Sequence, residues 1–177
     1  MTVEKIETGY LKENCYVVSI NNECLIVDPG DDFIKIKELI GKRNPLAVLI
    51  THYHFDHIGA LDKVKECYNI PVVDYSSNSI QNIGPFTFEI INTKGHKEDC
   101  VTYYFSNEKI MFTGDFIFEG TIGRCDLPGG NFNEMLESIQ KIKEYDKDIT
   151  LYPGHGNKTT IKDELINNSY MKGDYNE

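Results

Sequence analysis

The sequence lacks any long apolar run. Its longest unbroken stretches, such as Leu46 to Ile50, are about five residues, where a membrane-spanning helix needs roughly 20. Met1 to Asn14 carries no apolar core of the secretory kind, so the cytoplasm is the expected location. Cations are few and scattered: 18 Lys and Arg face 28 Asp and Glu, for a net charge of -10. Such a surface repels a phosphate backbone, which disfavours nucleic acid as a partner. The five cysteines (Cys15, Cys24, Cys67, Cys100 and Cys125) form no CxxC pair. A zinc ribbon and a thioredoxin motif are thereby excluded, and reduced, mostly buried thiols are expected. Fourteen Gly and six Pro are ordinary for a folded chain and exclude a collagen-like or low-complexity one.

What is present suits one domain over residues 1–177, with a polar tail expected to fray from Lys172. Cys15 to Ile20 and Cys24 to Asp28 are β-rich runs joined by Asn21, Asn22 and Glu23, a hairpin pattern. Asp32 to Gly41 reads as a helix, with Phe33, Ile36 and Ile40 on one face. Leu46 to Thr51 is a short apolar strand of the kind covered on both sides. A helix over Ile58 to Tyr68 and a strand over Pro71 to Tyr75 follow. The second half repeats the grammar: strands at Phe86 to Ile91, Val101 to Phe105 and Ile110 to Thr113, a helix at Asn131 to Tyr145, a strand at Ile149 to Tyr152, and a helix at Thr160 to Tyr170. Asn131 with Glu134 resembles a capping box. Two mixed sheets packed face to face, with helices outside, would bury all these apolar runs.

All five histidines lie at strand ends. Three fall in Thr51-His52-Tyr53-His54-Phe55-Asp56-His57, between an apolar strand and a helix. In extended chain, side chains two apart point the same way, so His52 and His54 can reach one ion together. Asp56 and His57 sit past the strand, where the chain turns, and suit a second ion nearby. Imidazole and carboxylate donors favour zinc, with iron or manganese as competitors. His96 follows Gly95 after one strand, His155 lies in Pro153-Gly154-His155-Gly156 after another, and Asp115 follows Gly114 after a third. A loop glycine lets a side chain be aimed closely.

HxHxDH, a Gly-His loop, Thr-Gly-Asp and Pro-Gly-His-Gly, in that order, resemble the metallo-β-lactamase superfamily over nearly the whole chain. Within it, Gly123-Arg124-Cys125-Asp126-Leu127-Pro128-Gly129-Gly130 is similar to a signature of the short, glyoxalase II-like hydrolases. The resemblance implies an α/β fold, a four-layer αββα sandwich with two divalent metal ions at one edge of the sheets. It implies His52, His54 and His96 on the first ion, Asp56, His57 and His155 on the second, and Asp115 bridging both. Asp28 resembles a residue that orients a ligand from behind. In one place the loop departs from the family: Asp99 stands where a Gly is usual.

Two such ions would share a water and lower its pKa from about 15.7 toward 7, giving a hydroxide nucleophile held at Asp115. With every histidine assigned to metal, no free imidazole remains to protonate a leaving group, and Asp56 or a water is left to move a proton. A thiol, of pKa near 8.5, leaves without a strong acid. A small acyl thioester is therefore the expected substrate, with Arg124 and Lys158 as candidate substrate contacts. The two-domain glyoxalase II enzymes continue into a helical region that holds glutathione. This chain ends about 22 residues after His155, so weak selectivity for the thiol carrier is expected. The alternatives are a mono-iron persulfide dioxygenase of the same superfamily and a non-catalytic metal-binding protein.

Overall fold

The computed structural model describes residues 1–174; the end of the tail, 175–177, lies outside the described residues. The first sheet starts with β1 (Thr2–Thr8), antiparallel to β2 (Glu13–Ile20), which turns at Asn21 and Asn22 into antiparallel β3 (Glu23–Val27). Helix α1 (Phe33–Ile40) leads to β4 (Asn44–Leu49), parallel to β3. Helices α2 (Phe55–Ile58) and α3 (Leu61–Tyr68) lead to β5 (Val72–Val73), parallel to β4. Strands β6 (Ile80–Ile83), β7 (Phe86–Asn92), β8 (Val101–Phe105) and β9 (Ile110–Gly114) form an antiparallel meander. A separate small hairpin follows, β10 (Ile117–Phe118) with β11 (Thr121–Ile122). Helix α4 (Phe132–Ile142) then crosses to β12 (Thr150–Pro153), parallel to β9, and β13 (Thr159–Thr160) closes that edge. The chain finishes in α5 (Ile161–Asn167) and α6 (Ser169–Lys172).

Both sheets are mixed, ordered β1-β2-β3-β4-β5 and β13-β12-β9-β8-β7-β6. The period-two alternation of the strands decides which side chains meet. Tyr16, Val18, Leu25, Val27 and Leu49 of the first sheet pack on Phe86, Phe88, Tyr103, Phe105 and Phe112 of the second. The alternate residues Cys15, Val17, Cys24, Ile26 and Val48 face α1 and α3 through Ile36, Ile40, Leu61 and Val64. The outer face of the second sheet meets Met135, Ile139 and Ile142 of α4 and Met171 of α6. Both faces of the central strands are thus covered, which is why they read as continuous apolar runs. The expected αββα sandwich is the observed architecture. Among the described residues, no helix is long and apolar enough to cross a membrane.

Several boundaries differ from the sequence expectation. The helix expected over Ile58 to Tyr68 is broken at Gly59 and Ala60. A Cβ on Gly59 would run into the Gly30 carbonyl oxygen, and Ala60 N–H donates to Pro29 O at 2.9 Å, so two loops meet backbone to backbone there. The helix expected to start at Asn131 starts one residue later, because the Asn131 side chain caps it, accepting from Asn133 and Glu134 N–H. It also stops at Ile142, short of Tyr145. The helix expected over Thr160 to Tyr170 breaks at Asn168, whose buried side chain caps α6 and bonds Thr121 O and Glu164. The strand expected over Pro71 to Tyr75 keeps only Val72 and Val73, and Lys172, expected to fray, ends α6. Strands β1, β6, β10, β11 and β13 were not legible. Their pairing is set by neighbours, as with the exposed, alternating β6 against β7.

Candidate metal centre

The histidines arrive from three strand ends and converge at one edge of the two sheets. His52 and His54 follow β4, His57 sits in α2, His96 follows β7, and His155 follows β12. His54 Nδ1 lies 3.0 Å from His52 Nε2 and 2.8 Å from His96 Nε2. Beside this trio, His155 Nε2 is 3.3 Å from Asp56 Oδ2, and His57 Nε2 is 3.9 Å from the same oxygen. Asp115, after β9, lies between the groups. Its Oδ2 is 3.6 Å from His96 Nε2; its Oδ1 is 3.3 Å from His57 Nε2 and 3.6 Å from His155 Nε2.

The hydrogen bonds behind the rings fix which nitrogen carries a proton. His57 Nδ1 donates to Asp28 Oδ2 at 2.9 Å, and His96 Nδ1 donates to the Arg124 carbonyl at 2.7 Å. The Thr51 hydroxyl donates to Asp28 Oδ2 at 2.5 Å, so its oxygen is free to accept from His52 Nδ1 at 3.1 Å. The Nε2 lone pairs of His52, His57 and His96 therefore all point inward. His54 Nδ1 can supply at most one proton to the two lone pairs it faces. His57 Nε2 and Asp115 Oδ1 are buried without a hydrogen-bond partner. Lone pairs and carboxylate oxygens packed this way lack positive charge, and metal ions fit the donor set.

The electrostatics divide the site. Burial, reinforced by the neighbouring imidazoles, pushes His52 well below its ordinary pKa, and burial lowers His54. Both are neutral donors. Burial would also lower His57, but the Asp115 and Asp28 carboxylates outweigh it and raise the group. Burial would raise Asp115, and His57 outweighs it, holding the carboxyl below its usual range. His52 and His54 thus sit in surroundings that disfavour the imidazolium, while on the other side the Asp56 and Asp115 carboxylates and the His57 and His155 rings favour one another's charged forms.

A glycine makes this closeness possible. Gly154 packs so tightly on the site that a Cβ there would run into Asp115 Oδ1 and lie 2.6 Å from His57 Cε1. Asp99, the residue that replaces a family Gly, needs no left-handed backbone; Gly95 takes the turn at φ 138°. The Asp99 carboxylate is buried and accepts from Lys97 Nζ at 2.5 Å and Tyr53 N–H at 3.3 Å.

The Metallo-beta-lactamase superfamily model matches residues 8–78 and 79–155. The chain belongs to the metallo-beta-lactamase superfamily. A probable metallo-hydrolase of Bacillus subtilis, YqgX, is 34% identical, with 98% of this chain and 99% of that protein covered. The hydroxyacylglutathione hydrolase GloC of Haemophilus influenzae is 26% identical, covering 97% and 98%. Among solved structures, the BLEG-1 B3 metallo-beta-lactamase superposes with a TM-score of 0.94 at 32% identity, covering 97% of this chain and all of that one. TTHA1623, solved in a di-iron-bound form, gives 0.86 at 27% identity, covering 94% and 99%.

Seven candidate ligands of this superfamily member (His52, His54, Asp56, His57, His96, Asp115 and His155) come together, with Asp28 behind His57. Two candidate substrate contacts do not. The Arg124 guanidinium is exposed and holds Asp126 in a two-pronged pair at 2.8 and 2.7 Å; its backbone carbonyl is what reaches the site. Lys158 is exposed and lines a depression of about 490 Å³ with Lys5, Tyr16 and Tyr152, which holds none of the seven ligands. Cys125 is half-buried against the outer core, not part of the site. Sequence reasoning missed Thr51 and Glu13, and noted Asp99 only as standing where a Gly is usual. Neither carried a sequence signal: the strand expected from Cys15 begins at Glu13 only in the fold.

Proposed function

We propose that this metallo-beta-lactamase superfamily hydrolase cleaves small, uncharged acyl thioesters. The observation that carries the reading is the pair of adjoining donor clusters sharing Asp115, which together use every histidine in the chain. His52, His54 and His96 would hold one divalent ion, Asp56, His57 and His155 the other, and Asp115 both. When bound, such ions supply an acidic water and an electrophile for the acyl oxygen. Zinc suits the nitrogen and carboxylate donors, and the di-iron form of TTHA1623 makes iron the alternative.

The protein's own part is orientation and proton handling. Asp28 and the Arg124 carbonyl hold His57 and His96 in the tautomer that offers Nε2. Asp56 is the carboxylate at the edge of the site and would take the proton of the attacking water. The cations next to His96 in sequence and at the Arg124 carbonyl are already engaged, Lys97 by Asp99 and Arg124 by Asp126. With no uncommitted imidazole beside the site, a leaving group that departs as an anion is favoured, and a thiolate does so far more readily than an amine. Directly beside Asp56 lies a cavity of about 320 Å³ lined by Thr8, Gly9, Tyr10, Leu11 and Phe55 among others, with no cation among its lining residues. Its apolar walls suit the acyl substituent, and Asp31 on its rim disfavours an acidic one.

The test loads metal-free protein with zinc, iron(II) or manganese and compares kcat/KM for a lactoyl thioester, the matching lactoyl amide and a β-lactam. Thioester turnover above amide turnover by about 1,000-fold or more supports the reading. Oxygen uptake on a persulfide with one iron per chain would replace it by a dioxygenase.

A further inference from the structure

Glu13 opens β2 and is fully buried. Its Oε2 accepts the Thr8 hydroxyl at 2.8 Å, while Oε1 has no hydrogen-bond partner. That oxygen stands 3.9 Å from His57 Nδ1, the same nitrogen that donates to Asp28 at 2.9 Å. Glu13, Asp28 and His57 place potential donor atoms within 4.8 Å of one another. The backbone at Glu13 also bridges His155, and Asn14 N–H donates to Gly154 O at 2.7 Å, tying β2 to the His155 loop. A carboxyl oxygen buried without a partner is costly to folding, burial pushes the group well above the usual carboxylate range, and a neutral residue could take the Thr8 bond. The cost is unexplained by packing. It is explained by where the oxygen points.

We infer that Glu13 is a positioning residue for the second metal ion: with Asp28 it sets two carboxylates behind the His57 ring. With the ion bound, carboxylate charge on the Nδ1 side would strengthen Nε2 as a donor and balance the ion's charge from the far side of the imidazole. The inference rests on the reading of His57 as a metal ligand.

Glu13→Gln separates this role from a structural one. It keeps the volume and an acceptor for Thr8, and removes the charge. Stepwise zinc affinity by chelator competition should show the second equivalent weakened roughly tenfold and the first within twofold. The metal-free Tm should stay within a few degrees of that of the unaltered protein, since burial already pushes the Glu13 carboxyl well above the usual carboxylate range and the amide keeps its volume and the Thr8 bond. The cobalt(II) absorption of the second equivalent should change as well. An unchanged second equivalent overturns the inference. Equal loss of both equivalents with a lower Tm also overturns it, leaving Glu13 as a mere partner for Thr8. If Glu13→Gln does not fold, Thr8→Val keeps the carboxylate and removes its one hydrogen bond. Second-equivalent affinity retained or tightened then supports the inference, and a tenfold loss overturns it. Fewer than two zinc per unaltered chain is a separate outcome: it overturns the two-metal reading itself, and Glu13's role with it.

Discussion

Asp115 turns its two oxygens to two different histidines: Oδ1 is 3.3 Å from His57 Nε2 and Oδ2 is 3.6 Å from His96 Nε2. One carboxylate thereby joins the His52, His54 and His96 group to the Asp56, His57 and His155 group. Replacing Asp115 by Ala should therefore reduce bound metal below two per chain and lower kcat/KM at least about 100-fold. Elemental analysis of dialysed protein, together with turnover, checks this; two retained ions with full activity would remove Asp115 from the bridge.

Gly154 has no room for a side chain, being pressed against Asp115 and His57. Gly154→Ala should cost about 1–3 kcal/mol of stability by overpacking. It should also weaken metal binding, because the added methyl displaces both candidate ligands. Urea midpoints of metal-free and zinc-loaded protein measure the two effects separately. A variant with an unaltered midpoint would mean that the loops separate more freely than their packing indicates.

Phe55 is 62% exposed and stacks on Tyr10, which is 81% exposed, at a ring separation of 6.4 Å. Apolar surface left open beside Asp56 is expected to meet the acyl group. Phe55→Ala should raise KM for a phenylacetyl thioester by roughly tenfold, with little change for an acetyl thioester. Equal losses on both esters would assign Phe55 to holding α2 instead.

Glutathione carries two carboxylates, and the nearby cations Lys97 and Arg124 are already paired. The ratio of kcat/KM for S-lactoylglutathione to that for a lactoyl ester of a small neutral thiol should stay under about 100-fold, equivalent to about 2.7 kcal/mol. A larger preference would require a glutathione site that these paired cations do not provide.

Burial pushes the Cys125 thiol up to about 11, with Asp126 adding to the shift. At pH 8 only about one such thiol in a thousand is ionised, and the fraction grows about tenfold per pH unit up to that pKa. Iodoacetamide should therefore modify exposed Cys67 first and Cys125 slowly, with the Cys125 rate climbing steeply from pH 8 to 10. Equal rates at pH 8 by peptide mass analysis would contradict this.

The sequence by itself determined the sandwich and the cast of the site. The apolar runs of β2 and of residues 46–49 in β4 mark strands covered on both faces, and the stripe of α4 marks its buried side, because such patterns are local properties of the chain. The spacing of His52, His54, Asp56 and His57 is equally local, since it is set by one strand end and one helical turn. Contacts across the fold were not legible. That Asp28 and Thr51, 23 residues apart in sequence, jointly hold His57 and His52 depends on β3 lying beside β4. That the Arg124 backbone, and not its guanidinium, serves His96 depends on how two loops pack. Glu13 became visible only when β2 was seen to run beneath α2 and beside the His155 loop. Only the tertiary structure could decide these, because a hydrogen bond between distant loops is fixed by the packing of whole sheets and leaves no periodic trace in the chain.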